Sequence, residues 1–162
     1  MNRVRICDEN ARPLSLRAIY SASMVDKIFV NLPVKDLEKT MAFWKKLGFS
    51  FNPQFTDEKA ACLVIGENIF AMLLLEKYFV GFNPGKGIAD SKKSTEVLTA
   101  LHLQSRAKVD EMVKKAVAAG GAVYRDPDIH GDWMYAHSFE DLDGHRWEVF
   151  YMDESKMPAN PS

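Results

Sequence analysis

Glu148 stands in the run Arg146-Trp147-Glu148-Val149-Phe150, where polar and apolar side chains alternate as in a half-buried strand. Alternation puts Glu148 on one face with Arg146 and Phe150, and Trp147, Val149 and Tyr151 on the other. A carboxylate projecting from a strand into an apolar cavity can serve as a general acid or base. It can equally pair with a neighbouring arginine and do no chemistry. His145 and Glu148 have the spacing of an HxxE metal motif, but a turn residue and a strand residue of opposite parity face opposite ways. Glu96, Leu98, Ala100 and His102 alternate along a second strand-like run, which gives that face a carboxylate and an imidazole. Asn31 shares parity with Phe29, so its amide could bind a ligand carbonyl or hydroxyl, or a neighbouring strand.

Other chemistries lack their residues. No Ser-His-Asp order, phosphate-binding glycine loop or dinucleotide glycine pattern is present. Cys7 and Cys62 stand far apart without a CxxC, and Cys62 lies in the apolar run Ala60–Ile65, as a buried inert thiol does. His130 falls in a polar segment, Asp126 to Asp132, and reads as solvated. His137 alternates with Trp133, Tyr135 and Phe139 along one strand, whose other face carries Met134, Ala136 and Ser138. Parity alone leaves open which set faces a cavity.

The elements that must hold these residues follow from pattern. Lys27 to Val34 is β-branched and aromatic and predicts a strand. Asp36 then offers an N-cap side chain, Leu37 to Leu47 carries a helical apolar stripe, and Gly48 ends it. Phe49 to Thr56, Ala60 to Ile65 and Ile69 to Glu76 predict three strands. Lys77 to Ser94, with Gly81, Pro84, Gly85 and Gly87, reads as a loop. The order then recurs: strand Thr95 to Gln104, a helix capped by Ser105 and ended at Gly120-Gly121, and strands at Ala122 to Arg125, Trp133 to Glu140 and Arg146 to Met152. Asp143-Gly144 joins the last two.

Val34 matches Leu103 and Gly48 matches Gly120, an offset of about 70 residues that marks an internal repeat. The chain thus resolves into an extension 1–23, expected to be irregular, one domain 24–153 and a tail 154–162. The domain consists of module 25–76, linker 77–94 and module 95–153. The fold class is α+β: two tandem βαβββ modules form a curved mixed sheet around a cavity, with the helices outside. That cavity is the expected ligand site. Phe29, Met72, Leu98 and Tyr135 would line it, as core packing would also explain.

Composition bounds the partners. The 162 residues carry 21 Lys plus Arg against 22 Asp plus Glu, a net charge of −1, with 47% hydrophobic residues. Such a chain has apolar content enough for a core and no basic field for nucleic acid or an acidic membrane. Its longest apolar run, Ile69 to Leu75, is far below the roughly 20 residues of a spanning helix. Residues 1–23 have arginines but no apolar secretory core, so the cytoplasm is the expected location.

Two segments in order, VNLPVKDLEKTMAFWKKLGF at 30–49 and SFEDLDGHRWEVFYMD at 138–153, resemble the vicinal oxygen chelate superfamily. Glyoxalase I, bleomycin-resistance proteins and extradiol dioxygenases belong to it, and the likeness spans residues 25–153. The resemblance implies metal ligands on the first and last strand of each module. Here those positions fall on Phe29, on Met72 or Leu73, on Leu98 and on Glu148, so only Glu148 carries a ligand. Divalent metals need three or four N/O donors. At about 3.3 Å per residue, His102 lies about 13 Å and Glu96 about 6.6 Å from the Leu98 position, too far to replace it without a bulge or a shifted register. The set disfavours a divalent metal, an extradiol dioxygenase and a conventional glyoxalase I, and identifies no cofactor.

The resemblance then implies a bleomycin-resistance-like protein that binds a small organic ligand between its modules. Its alternative is a glyoxalase-like lyase or isomerase, of lactoylglutathione-lyase type, with Glu148 moving the proton. A homodimer is expected by resemblance only.

Overall fold

A proline inside a strand removes one backbone donor, so it is tolerated where one side of the strand has no partner. Pro33 meets that condition. In the computed structural model, which describes residues 25–158, strand β1 (Ile28–Val34) is the edge of a four-stranded sheet and pairs only with β4. The extension 1–23, with Cys7, and residues 159–162 lie outside the described residues.

Helix α1 (Leu37–Leu47) begins at Asp36, whose side chain accepts from the Lys39 N–H at 3.0 Å. It ends at Gly48, whose φ of 101° is the left-handed conformation open to glycine. Strands β2 (Ser50–Asn52), β3 (Ala60–Gly66) and β4 (Ile69–Leu75) follow. The sheet order is β1-β4-β3-β2, with β1 parallel to β4 and the other pairs antiparallel. The β2 run is shorter than predicted because Pro53 starts a turn of 3-10 helix, Pro53–Phe55, capped by Asn52. The linker is not all loop either: Glu76–Phe82 forms a short helix, α2.

The second sheet, β5-β8-β7-β6, repeats this order. It is built from β5 (Thr99–His102), helix α3 (Arg106–Ala118), β6 (Asp128–His130), β7 (Met134–Glu140) and β8 (Arg146–Met152). Two expectations change here. Ala122 to Arg125 is no strand: only Ala122 bridges to Glu140 before the Arg-Asp-Pro sequence breaks the pairing. The edge strand comes from the segment read as a polar loop, where Asp128–His130 pairs with Ala136 to Met134. Glu96 and Leu98 likewise precede β5 rather than belonging to it.

Both helices cover the same side of their sheets, and there the modules share one core. Trp44 and Phe43 of α1 meet Trp147 and Phe139 of the second sheet, with Trp44–Trp147 ring centroids 4.6 Å apart. The two sheets do not close into one barrel. Residues of opposite parity, Phe29, Asn31 and Met72 on one sheet and Glu148 on the other, therefore lie on the faces turned away from the helices.

Candidate functional site

The turn between β7 and β8 ties the modules together before any ligand is considered. Asp141 accepts from the N–H groups of Asp143 and His145 and from Trp147 Nε1 at 3.0–3.1 Å. Burial pushes its carboxyl above the ordinary range, opposed by His145 and the Trp147 N–H. Asp143 reaches into the first module, accepting from the Lys35 N–H at 2.9 Å and the Thr40 hydroxyl at 3.0 Å. His145 Nε2 lies 2.8 Å from the Pro33 carbonyl and, as a donor to it, carries the proton. The acidic turn motif thus clamps β1 and α1 against β8, with His145 Nε2 engaged by the first module.

Above this clamp the end of β1, the linker and the start of β8 border an open cavity of about 550 Å³. That is within the range of small-molecule sites. Of the residues singled out by pattern, Asn31, Glu96 and Arg146 line it. Phe79 and Phe82 of α2, Ile88 and Val97 give it an apolar wall. Parity could not have supplied Phe79, Phe82 and Ile88, which come from the linker, and Val97 lies in the segment that precedes β5.

The other expected residues do not line this cavity. Phe29 stacks on Phe70 at 4.7 Å, and Met72 pairs in register with Asn31 on the same face, whereas Leu73 is buried on the other. Leu98 is exposed. His102 lines a separate cavity of about 360 Å³ beside Leu47, Gly48 and α3. Tyr135 is a correction: it lies on the helix-facing side, where its hydroxyl donates to Asp110 at 2.6 Å. That bond pushes its phenol up to about 12. The fully buried Phe139 marks the same face as core, so the set Met134, Ala136 and Ser138 is the one opposite the helices.

Glu148 sits on the open face of the second sheet, where Arg125 Nη2 approaches its Oε1 to 2.6 Å. Arg146 is held by Glu140 at 2.9 Å and lies 4.4 Å from the centroid of Tyr124. Tyr124 and Arg125 thus lie over this face, a role missed by reading Ala122 to Arg125 as a strand. The Asp126-Pro127 breaker was the available signal. A metal centre does not fit here. Phe29, Met72 and Leu98 offer no N or O donor, and among the described residues no three His, Cys, Asp or Glu side chains are placed to share an ion.

Residues 28–66, from β1 through β3, match the bleomycin resistance protein-like N-terminal family. A hypothetical protein from S. aureus is 32% identical, with a TM-score of 0.67 over 82% of this chain and 98% of that one. A glyoxalase/bleomycin resistance protein/dioxygenase family enzyme from Burkholderia phytofirmans superposes with a TM-score of 0.65 at 16% identity, over 80% and 100% of the two chains. The fosfomycin resistance protein FosX from Mesorhizobium loti gives 0.58 at 16% identity, over 82% and 98%. No curated protein sequence matches the chain.

Proposed function

Because the chain belongs to the vicinal oxygen chelate superfamily, we propose that it is a small-molecule-binding protein of the bleomycin-resistance type. It holds an organic ligand in the cavity between its modules without a complete metal site. One observation supports this reading: at the positions where the resemblance implies metal ligands stand Phe29, Met72 or Leu73, and Leu98, and the remaining carboxylate, Glu148, is paired with Arg125. That pairing also favours binding over proton transfer by Glu148, since a carboxylate oxygen engaged by a guanidinium is turned to that partner rather than to a substrate.

Two further features support a homodimer. Phe29 is exposed on the open face of the first sheet, Ile28 and Ile69 are exposed at the start of their paired strands, and β1 is an unpaired edge strand. A second copy would cover both. Among the described residues no helix is long and apolar enough to cross a membrane, and the free thiol of Cys62 suits a reducing compartment, which supports a cytoplasmic location.

Metal analysis of the purified protein tests the reading. Substoichiometric Ni, Zn, Mn and Fe are expected, together with saturable binding of a flat aromatic ligand that shifts the amide signals of Asn31 and Val97. One equivalent of any of these metals would overturn it. Sedimentation equilibrium gives the assembly, with twice the chain mass expected.

A further inference from the structure

The cavity between the modules is lined by four ionisable side chains, and two of them are already spent. Arg146 is engaged by Glu140 and the Tyr124 ring, and His145 Nε2 by the Pro33 carbonyl. The other two, Lys86 and Glu96, are of opposite sign and stand at the exposed mouth. Among the described residues neither makes an ion pair or side-chain hydrogen bond, so no salt bridge within 4.0 Å joins them to each other. Phe79 and Ile88, both partly buried, and the exposed Phe82 line the same cavity.

An unpaired ammonium and an unpaired carboxylate lining one cavity together with apolar side chains complement a molecule with the reverse charges and an apolar body. Resting on the cavity reading above, we infer that the ligand is a zwitterion of the α-amino-acid type. Its carboxylate sits on Lys86, its ammonium on Glu96, and its apolar side group against Phe79 and Ile88. A singly charged ligand would satisfy one rim group and leave the other to water. An uncharged one would use the wall alone.

Calorimetric titration with four probes of one shape tests this: L-phenylalanine, 3-phenylpropionate, 2-phenylethylamine and 3-phenylpropan-1-ol. Phenylalanine binds tightest, and each missing charge weakens binding about fivefold, the effect of roughly one exposed ion pair. Lys86→Gln weakens phenylalanine and phenylpropionate and leaves phenylethylamine unchanged. Glu96→Gln weakens phenylalanine and phenylethylamine and leaves phenylpropionate unchanged. Both positions are exposed, so neither variant threatens folding. If the alcohol binds as tightly as phenylalanine and shifts the signals of Ile88 and Val97, the zwitterion inference fails while the cavity reading stands. If no probe shifts those signals, both fail.

Discussion

Arg125 Nη2 lies 2.6 Å from Glu148 Oε1, so the carboxylate in the middle of β8 faces a guanidinium. The contact crosses from the segment between Gly121 and β6 to the middle of β8, and buries Ser138 beneath it. Because Ser138 is the direct cross-strand partner of Glu148 and its hydroxyl contacts the Arg125 carbonyl at 3.4 Å, the pair also fixes where that segment lies.

Glu148→Gln is therefore expected to leave the fold and the cavity intact. The arginine is nearly half exposed, so loss of the pair costs no more than about 1 kcal/mol. A urea midpoint measures that loss, and titration with an aromatic ligand shows binding within about twofold of the parent. Unchanged stability with binding abolished would contradict the placement of Glu148 outside the ligand cavity.

Gly121→Ala is expected to damage the junction of the modules. A Cβ there would lie 2.6 Å from the Glu140 carbonyl oxygen and 3.1 Å from Phe43 Cε2, one a backbone atom and the other a packed ring. Overpacking of this kind costs about 1–3 kcal/mol. Gly81→Ala is the control, since its added Cβ meets nothing within 4 Å. Thermal melts should separate the two, and equal melting temperatures would show that the junction yields.

Much of this fold was legible because single residues state it. Asp36 and Gly48 bracket α1 by capping, and the alternation from Arg146 to Met152 gave the limits and inward face of β8. What could not be read depends on contacts distant in sequence. Trp44 against Trp147 turns the helix-covered sides of the sheets toward each other, which leaves Phe29, Met72 and Glu148 on open faces and moves the cavity to the linker. Tyr135 was ambiguous for a related reason: alternation divides a strand into two faces without saying which is inside, and only its bond to Asp110 decides.

Asp143→Ala should loosen the clamp between the turn and the first module. The Lys35 N–H and the buried Thr40 hydroxyl would lose their acceptor, and an unsatisfied buried donor costs about 1–3 kcal/mol. Hydrogen exchange at the Lys35 amide should accelerate while amides in the middle of α3 keep their protection. Asp143→Asn keeps one oxygen and should restore part of the protection. Equal acceleration everywhere would mean global unfolding rather than release of a clamp.

Tyr135 gives the fold a dependence on high pH. The bond to Asp110 favours the neutral phenol and raises its ionisation from the ordinary 10 to about 12. Since the folded form holds this proton more tightly than the unfolded chain, the contribution is present in full below pH 10. It is lost as pH rises from 10 to about 12. Tyrosinate absorbance should therefore show a phenol titrating late, absent in Tyr135→Phe. That variant should be less stable than the parent at pH 8, and the gap should narrow above pH 11. A gap constant across that range would mean that the hydroxyl contributes nothing through its proton, and that Tyr135 acts only by packing its ring beneath α3.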